Sequence, residues 1–189
     1  MTRPDENTHK TVSETDAAFF SDVSKACGQS FVTAAESARA GLSEKDYGRW
    51  VSMGKKISRA LPENSDLVKH FFDSSRPFFC EEGVGHLTNW GNAGIRIAKR
   101  SPHCAASFFD ATPAFLENAR FPKINQLASD AIRIFDFKNA TKETVSAFLT
   151  TSGPILRYLT PRVYTIWKET GCLVLRHSGK MATRYFSLD

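Results

Sequence analysis

Residues 71–90 read FFDSSRPFFCEEGVGHLTNW, and three other stretches of the chain follow the same plan. They are FVTAAESARAGLSEKDYGRW over 31–50, FFDATPAFLENARFPKINQL over 108–127 and FLTTSGPILRYLTPRVYTIW over 148–167. Each opens on a phenylalanine (Phe31, Phe71, Phe108, Phe148) and closes nineteen residues later on Trp50, Trp90, Leu127 or Trp167. Successive openings lie 40, 37 and 40 residues apart. Periods of that size are the mark of stacked helical units.

The residues around each closing position identify the element. Tyr47, Trp50, Gly54 and Ile57 recur as Leu87, Trp90, Gly94 and Ile97, as Ile124, Leu127, Ala131 and Ile134, and as Tyr164, Trp167, Gly171 and Val174. Steps of three, four and three put all four side chains on one face of a helix. The third position is always Gly or Ala, small enough for a neighbouring helix to approach closely, which offsets the poor helix propensity of glycine.

A second helix ends on the next phenylalanine. Leu67, Val68, Phe71 and Phe72 correspond to Cys104, Ala105, Phe108 and Phe109, then to Thr144, Val145, Phe148 and Leu149. Ser101-Pro102 is an N-cap followed by proline at the first helical position; Ser65 and Thr141 are the expected caps of the other copies. A turn is predicted at Pro77, Pro113 and Pro154, followed by a short apolar piece such as Ala114 to Leu116. Phe31 to Thr33 and Cys172 to Leu175 lean towards β composition but fall in register with helices.

The predicted fold class is therefore all-α, an α-solenoid of about four helix-turn-helix repeats of 37–40 residues. It spans 16–189, with units at approximately 16–41, 42–81, 82–118, 119–158 and 159–189, behind a flexible polar tail at 1–15. The repeat core is expected to comprise Trp50, Gly54, Phe71, Trp90, Gly94, Phe108, Leu127, Ala131, Phe148, Trp167, Gly171 and Phe186. Phe186-Ser187-Leu188-Asp189 matches the start of the Phe71 and Phe108 segments, which reads as the beginning of a further unit and the chain as the N-terminal part of a longer array.

Composition fits an ordinary globular domain: 189 residues, 41% hydrophobic and 24% charged. No apolar run is long enough to span a membrane and residues 1–16 form no secretory signal, so a cytoplasmic protein is expected. Cys27, Cys80, Cys104 and Cys172 are too dispersed for a zinc site or a disulfide framework and read as reduced thiols.

Catalytic patterns are missing. Gly83-Val84-Gly85 does not complete a dinucleotide fingerprint, and Ser178-Gly179-Lys180 lacks the upstream glycine of a phosphate loop. His70, His103 and His177 belong to different units, with no pair of ligands on one turn; Asp73, Asp110, Glu81 and Glu82 read as turn residues. No enzymatic site, cofactor or metal is expected. Trp50, Trp90 and Trp167 read as core residues rather than base-stacking platforms, because they sit in the apolar stripe.

One surface pattern stands out. Lys56, Arg96 and Arg133 share a position two residues after the small residue, with Leu173 as the departure. Arg59, Lys99 and Arg176 share another, five after it, with Asp136 as the departure. Both positions point away from the apolar stripe, so stacked units would align them as two basic ladders. With a net charge of +5, such ladders suit an acidic protein partner or, in a second reading, the phosphates of a nucleic acid.

The Trp-x-x-x-Gly helix followed by Phe-Phe-Asp-x-(Ser/Thr)-Pro is carried by Trp90, Gly94, Phe108-Phe109-Asp110 and Thr112-Pro113. It resembles the helical repeats that precede the von Willebrand factor A domain in bacterial proteins of the nitric-oxide-reductase and Rubisco activation type. The resemblance covers about 31–189. It implies an adaptor working with a ring-shaped ATPase of the MoxR type to remodel a metalloenzyme, although the D-x-S-x-S metal motif of that family is absent here. Together these readings predict a non-catalytic helical scaffold that docks a protein, with a HEAT-like nucleic-acid binder as the alternative.

Overall fold

The structure is a computed structural model that describes residues 13–117, 119–158 and 160–188. Among the described residues there is no strand, and the order of elements is α1 (Glu14–Val23), α2 (Lys25–Gly41), α3 (Glu44–Ala60), α4 (Asp66–Asp73), a 3-10 turn (Arg76–Phe78), α5 (Glu81–Ala98), α6 (Pro102–Leu116), α7 (Lys123–Phe135), α8 (Lys142–Tyr158), α9 (Pro161–His177) and α10 (Gly179–Ser187). The β-leaning stretches Phe31–Thr33 and Cys172–Leu175 are helical, inside α2 and α9. Tertiary burial of an apolar helix face overrides a weak local propensity.

Side-chain caps start most helices. Ser13, Ser24, Ser43, Ser101, Thr160 and Ser178 each accept a hydrogen bond from the backbone N–H three residues on, satisfying one of the orphan donors of a helix start. Thr141 does the same for Thr144. Ser65 departs from expectation: it stands at the N-cap of α4 in a helical conformation and makes no side-chain cap bond. Because Ser13 caps α1, residues 13–15 do not belong to a tail; the remainder of the expected tail, 1–12, lies outside the described residues.

The helices form five successive pairs and pack in two layers. In one layer α1 lies against α3, α3 against α5 and α5 against α7; in the other α2 packs on α4, α4 on α6, α6 on α8 and α8 on α10. Linker length accounts for the alternation of the period. Residues 61–65 join α3 to α4 and 136–141 join α7 to α8, whereas only 99–101 join α5 to α6.

The sequence offset of nineteen residues corresponds to one contact. Phe31 stacks on Trp50, Phe71 on Trp90 and Phe148 on Trp167, with ring centroids 5.5, 5.0 and 5.7 Å apart and interplanar angles of 19°, 29° and 14°. A second phenylalanine then meets each indole edge-on: Phe72 against Trp50, Phe109 against Trp90 and Phe186 against Trp167, at 65°, 80° and 79°. Each triad thus ties a helix of one layer, a helix of the other and the next helix of the first. All twelve residues expected in the repeat core are buried.

The edge-on ring lies over the small residue. A Cβ on Gly54 would sit 2.5 Å from Cζ of Phe72, and one on Gly94 or Gly171 would run into the ring of Phe109 or Phe186. This contact corrects the register read at the end of the chain. Phe186 occupies the place of Phe72 and Phe109, one residue on from Phe71 and Phe108, because Ser178 alone separates α9 from α10 and the ring must still reach Gly171.

The prolines supply a second correction. Only Pro77 lies in a turn; α6 runs through Pro113 and α8 through Pro154. Proline removes a helical N–H and crowds the preceding turn, so an interior proline demands a local adjustment. Here Thr112 and Ser152 donate their hydroxyls back to the carbonyls of Phe108 and Phe148 at 2.7 and 2.6 Å, the kind of back-bonding that bends a helix without breaking it. The Thr112 hydroxyl, like that of Ser75, has a further role. The indole N–H groups of Trp50 and Trp90 donate to Ser75 and Thr112, both at 3.0 Å, which satisfies a polar atom in the core.

Two glycines of α5 separate packing from propensity. Gly85 has open space where a Cβ would project, whereas Gly94 has the ring of Phe109. Gly85→Ala is expected to raise stability by about 0.5–1 kcal/mol. Gly94→Ala is expected to lower it, with overpacking of about 1–3 kcal/mol outweighing the same propensity gain. Urea denaturation of the two variants checks the opposite signs.

Candidate functional site

The two ladders occupy the outer side of the layer formed by α3, α5, α7 and α9. Lys56, Arg59, Arg96, Lys99, Arg133 and Arg176 are all exposed. They are not equivalent. Lys56 donates through Nζ to Oδ1 of Asn92 at 2.8 Å, joining α3 to α5. Arg133 donates through both terminal nitrogens to Glu169 at 3.2 and 3.4 Å, joining α7 to α9. Asp136, which stands where the second ladder lacks a cation, accepts from Arg100 at 2.6 Å and joins α5 to α7. Arg59, Arg96, Lys99 and Arg176 make no ion pair within the described residues.

The same axial bracing continues elsewhere. Lys55 donates to Asp16 at 2.6 Å between α3 and α1. Asn139 donates to the carbonyls of Leu175 and Arg176 and so closes the C-terminal end of α9. Pairs as exposed as Arg133–Glu169 contribute little, typically below about 1 kcal/mol. Their effect is to hold the spacing of the helices that carry the remaining cations.

Two polar clusters were not read from the sequence. Asp130, 4% exposed, accepts from Nζ of Lys168 at 3.0 and 3.1 Å and from Gln126 at 3.0 Å. The available signal was a carboxylate three residues after Leu127, at the edge of the apolar stripe of α7. Asp110, expected in a turn, lies inside α6 and bonds Nδ1 of His70 at 2.7 Å. His70 and His103 line one surface cavity of about 270 Å³ between α4 and α6, yet no group of three or more ligating side chains able to hold a metal occurs among the described residues.

The outer face changes character at α9. Ile166 and Leu173 are each 55% exposed and Val163 is 39% exposed. Their counterparts by position are Arg49, Lys56 and Asp46 on α3, and Gln126, Arg133 and Lys123 on α7. Isolated exposed aliphatics are ordinary on a protein surface; here Val163 and Ile166 stand on adjacent turns of α9 and Leu173 two turns further on, so three fall along one helix.

All four cysteines are free. Cys27, Cys104 and Cys172 are buried and Cys80 is exposed. Burial pushes the thiols of Cys104 and Cys172 up, so they stay protonated and unreactive at neutral pH. Among the described residues no helix is long and apolar enough to cross a membrane. Comparison of the chain with protein-family models, with curated proteins and with solved structures finds no match.

The hydrogen bond that the His70 ring donates to the Asp110 carboxylate raises the pKa of His70, against the opposing effect of partial burial; the charges of Asp110 and Asp73 raise it and that of Lys69 lowers it. A folded-state pKa above the unfolded value of about 6.5 stabilises the protonated fold. That contribution is fully present below pH ~6.5 and disappears as pH rises through the folded-state value. An NMR titration should place His70 above about 6.5, and Asp110→Asn should bring it down and remove the acid-side gain in thermal stability.

Proposed function

We propose that the protein is a non-catalytic helical scaffold, solenoid-like in construction, that docks an acidic segment of a protein partner along the outer face of α3, α5 and α9. The observation that supports this most is the division of labour among the cations. Lys56, Arg100 and Arg133 brace neighbouring helices, while Arg59, Arg96, Lys99 and Arg176 sit at repeating positions with no carboxylate of their own among the described residues. Cations left unpaired on a preformed surface offer charge complementarity at little ordering cost.

The apolar residues Val163, Ile166 and Leu173 adjoin this strip and favour a protein over a polyphosphate. Buried apolar contacts at the centre of an interface and charges at its rim are the usual anatomy of protein recognition. An adaptor role beside a ring-shaped ATPase, as implied by the resemblance of Trp90–Pro113 to the repeats described above, is one setting for such a surface.

The test compares wild type with Arg59→Glu/Arg96→Glu/Lys99→Glu/Arg176→Glu, and with the apolar variant Ile166→Ser/Leu173→Ser. Binding to a fluorescent polyglutamate peptide and to a short DNA duplex is measured at rising salt, beside a nuclease-treated lysate capture. The expected outcome is that wild type holds the acidic peptide, that the charge variant loses it at least tenfold, and that a defined protein retained after nuclease is lost in both variants. Binding to the duplex alone, falling steeply with salt, would transfer the proposal to a nucleic-acid partner. Unchanged binding in the charge variant would remove the strip from the function altogether.

A further inference from the structure

The third unit breaks the aromatic pattern, and the break opens a cavity. Where the other units place Trp50, Trp90 and Trp167, this one has Leu127. Trp50 and Trp90 are fully buried between the layers and donate their N–H groups to Ser75 and Thr112. Leucine is shorter and has no N–H. The equivalent hydroxyl, Ser152, receives a bond from the phenol of Tyr164 at 3.3 Å, contributed by α9.

Tyr164 thus reaches the place of the missing donor, but the neighbouring helices do not draw together. α3 packs along α5 and α5 along α7, but α7 and α9 lack the same close approach. Between them lies a cavity of about 420 Å³, within the range of small-molecule sites. One wall is apolar, built from Phe115, Leu127, Leu156 and Pro161; the other carries Tyr164 and the Asp130–Lys168 pair, with the exposed side chains of Arg120 and Lys123 also on the lining.

The polar groups specify a charge. Asp130, the sole carboxylate on the lining among the described residues, is already satisfied by Lys168 and Gln126. Burial pushes the phenol of Tyr164 up to about 12, so it remains a neutral hydroxyl throughout the physiological range. Arg120 and Lys123 have no ion pair within the described residues and leave the lining net positive. An apolar wall where an indole would otherwise lie, flanked by unpaired cations, suits a flat ring bearing a negative charge.

We infer that the cavity between α7 and α9 is a binding site for a small aromatic carboxylate, whose ring takes the place of the absent tryptophan and whose carboxylate meets Arg120 and Lys123. This site is separate from the outer basic face and does not depend on the docking of a protein there.

Calorimetric titration of the full chain with indole-3-acetate, and with indole as the uncharged probe, tests it. Indole-3-acetate is expected to bind at sub-millimolar concentration and at least tenfold more tightly than indole. Leu127→Trp should fill the site from within, remain folded by circular dichroism and abolish binding of both probes. Arg120→Gln/Lys123→Gln, two exposed positions, should weaken indole-3-acetate at least tenfold and leave indole unchanged, a readout that stands even if the tryptophan variant does not fold. Absence of binding by wild type at millimolar probe, or equal binding by the folded Leu127→Trp variant, would overturn the site. Indole binding as tightly as indole-3-acetate would overturn its assignment to an anion.

Discussion

A phenylalanine stacked on a tryptophan, with a second phenylalanine driven edge-on into the indole over a glycine, is the contact on which the rest of this structure depends. Each such triad joins three helices at once: α2, α3 and α4 through Trp50; α4, α5 and α6 through Trp90; α8, α9 and α10 through Trp167. Aromatic pairs in stacked and edge-on geometry are worth about 0.5–1.5 kcal/mol each beyond the area they bury. The constraint they impose is geometric as well as energetic. A ring can approach the outer helix that closely only where no Cβ stands in the way, so Trp and Gly must be four residues apart on one helix, and the preceding phenylalanine must arrive at a fixed distance along the chain. The linkers between helices can vary in length; the triad cannot.

This explains why so much of the fold was legible in the residues. A contact that requires one residue type at each of three positions leaves a repeating signature, and the nineteen-residue offset was a trace of stacked rings before any coordinate was known. Where several residue types satisfy a constraint, the signature blurs. Tyr185-Phe186 presents two adjacent rings, and nothing local says which one meets Gly171; the one-residue link at Ser178 decides it. The prolines misled for a related reason. Thr112 and Ser152 are both core acceptors and back-bonding hydroxyls, and the second role, invisible to propensity, lets α6 and α8 continue past Pro113 and Pro154.

The charged surface shows the limit of helical periodicity. Position on a helix gives the direction of a side chain from the axis, and on that basis all six ladder residues belong outside, as they do. It does not give the side chain that the neighbouring helix presents. Lys56 finds Asn92 and Arg133 finds Glu169, each thirty-six residues on, while the residue at that offset from Arg96 is the aliphatic Ile132. The departure at Asp136, which looked like a gap in a ladder, is the acceptor of Arg100. Two of the six cations of an apparent binding surface are therefore joinery between helices, and the residues free to act on something else emerge only when that joinery is subtracted.

The same subtraction applies to the core. A repeat that has lost its tryptophan has two ways to recover packing: larger neighbours can move in, or the flanking helices can draw together. At Leu127 the helices do not draw together, and the neighbour that moves in is Tyr164, whose phenol reaches Ser152. Helices α7 and α9 are joined by Arg133–Glu169 on the surface and by Lys168–Asp130 inside, and the inner pair is the less obvious choice. Two charges taken out of water gain from their attraction only what desolvation has not already cost, and apolar residues of similar size often stabilise a core as well or better. What such a pair does provide is directionality, because a carboxylate that accepts three hydrogen bonds, as Asp130 does from Lys168 and Gln126, tolerates one spacing of its partners and a leucine contact tolerates many. A tryptophan exchanged for leucine, a hydroxyl served from across the gap by Tyr164 and a directional buried ion pair at one level of the structure together border a space. In a core that is otherwise packed ring against ring, a space flanked by leucine in place of tryptophan and by the Asp130–Lys168 pair is a property of the sequence.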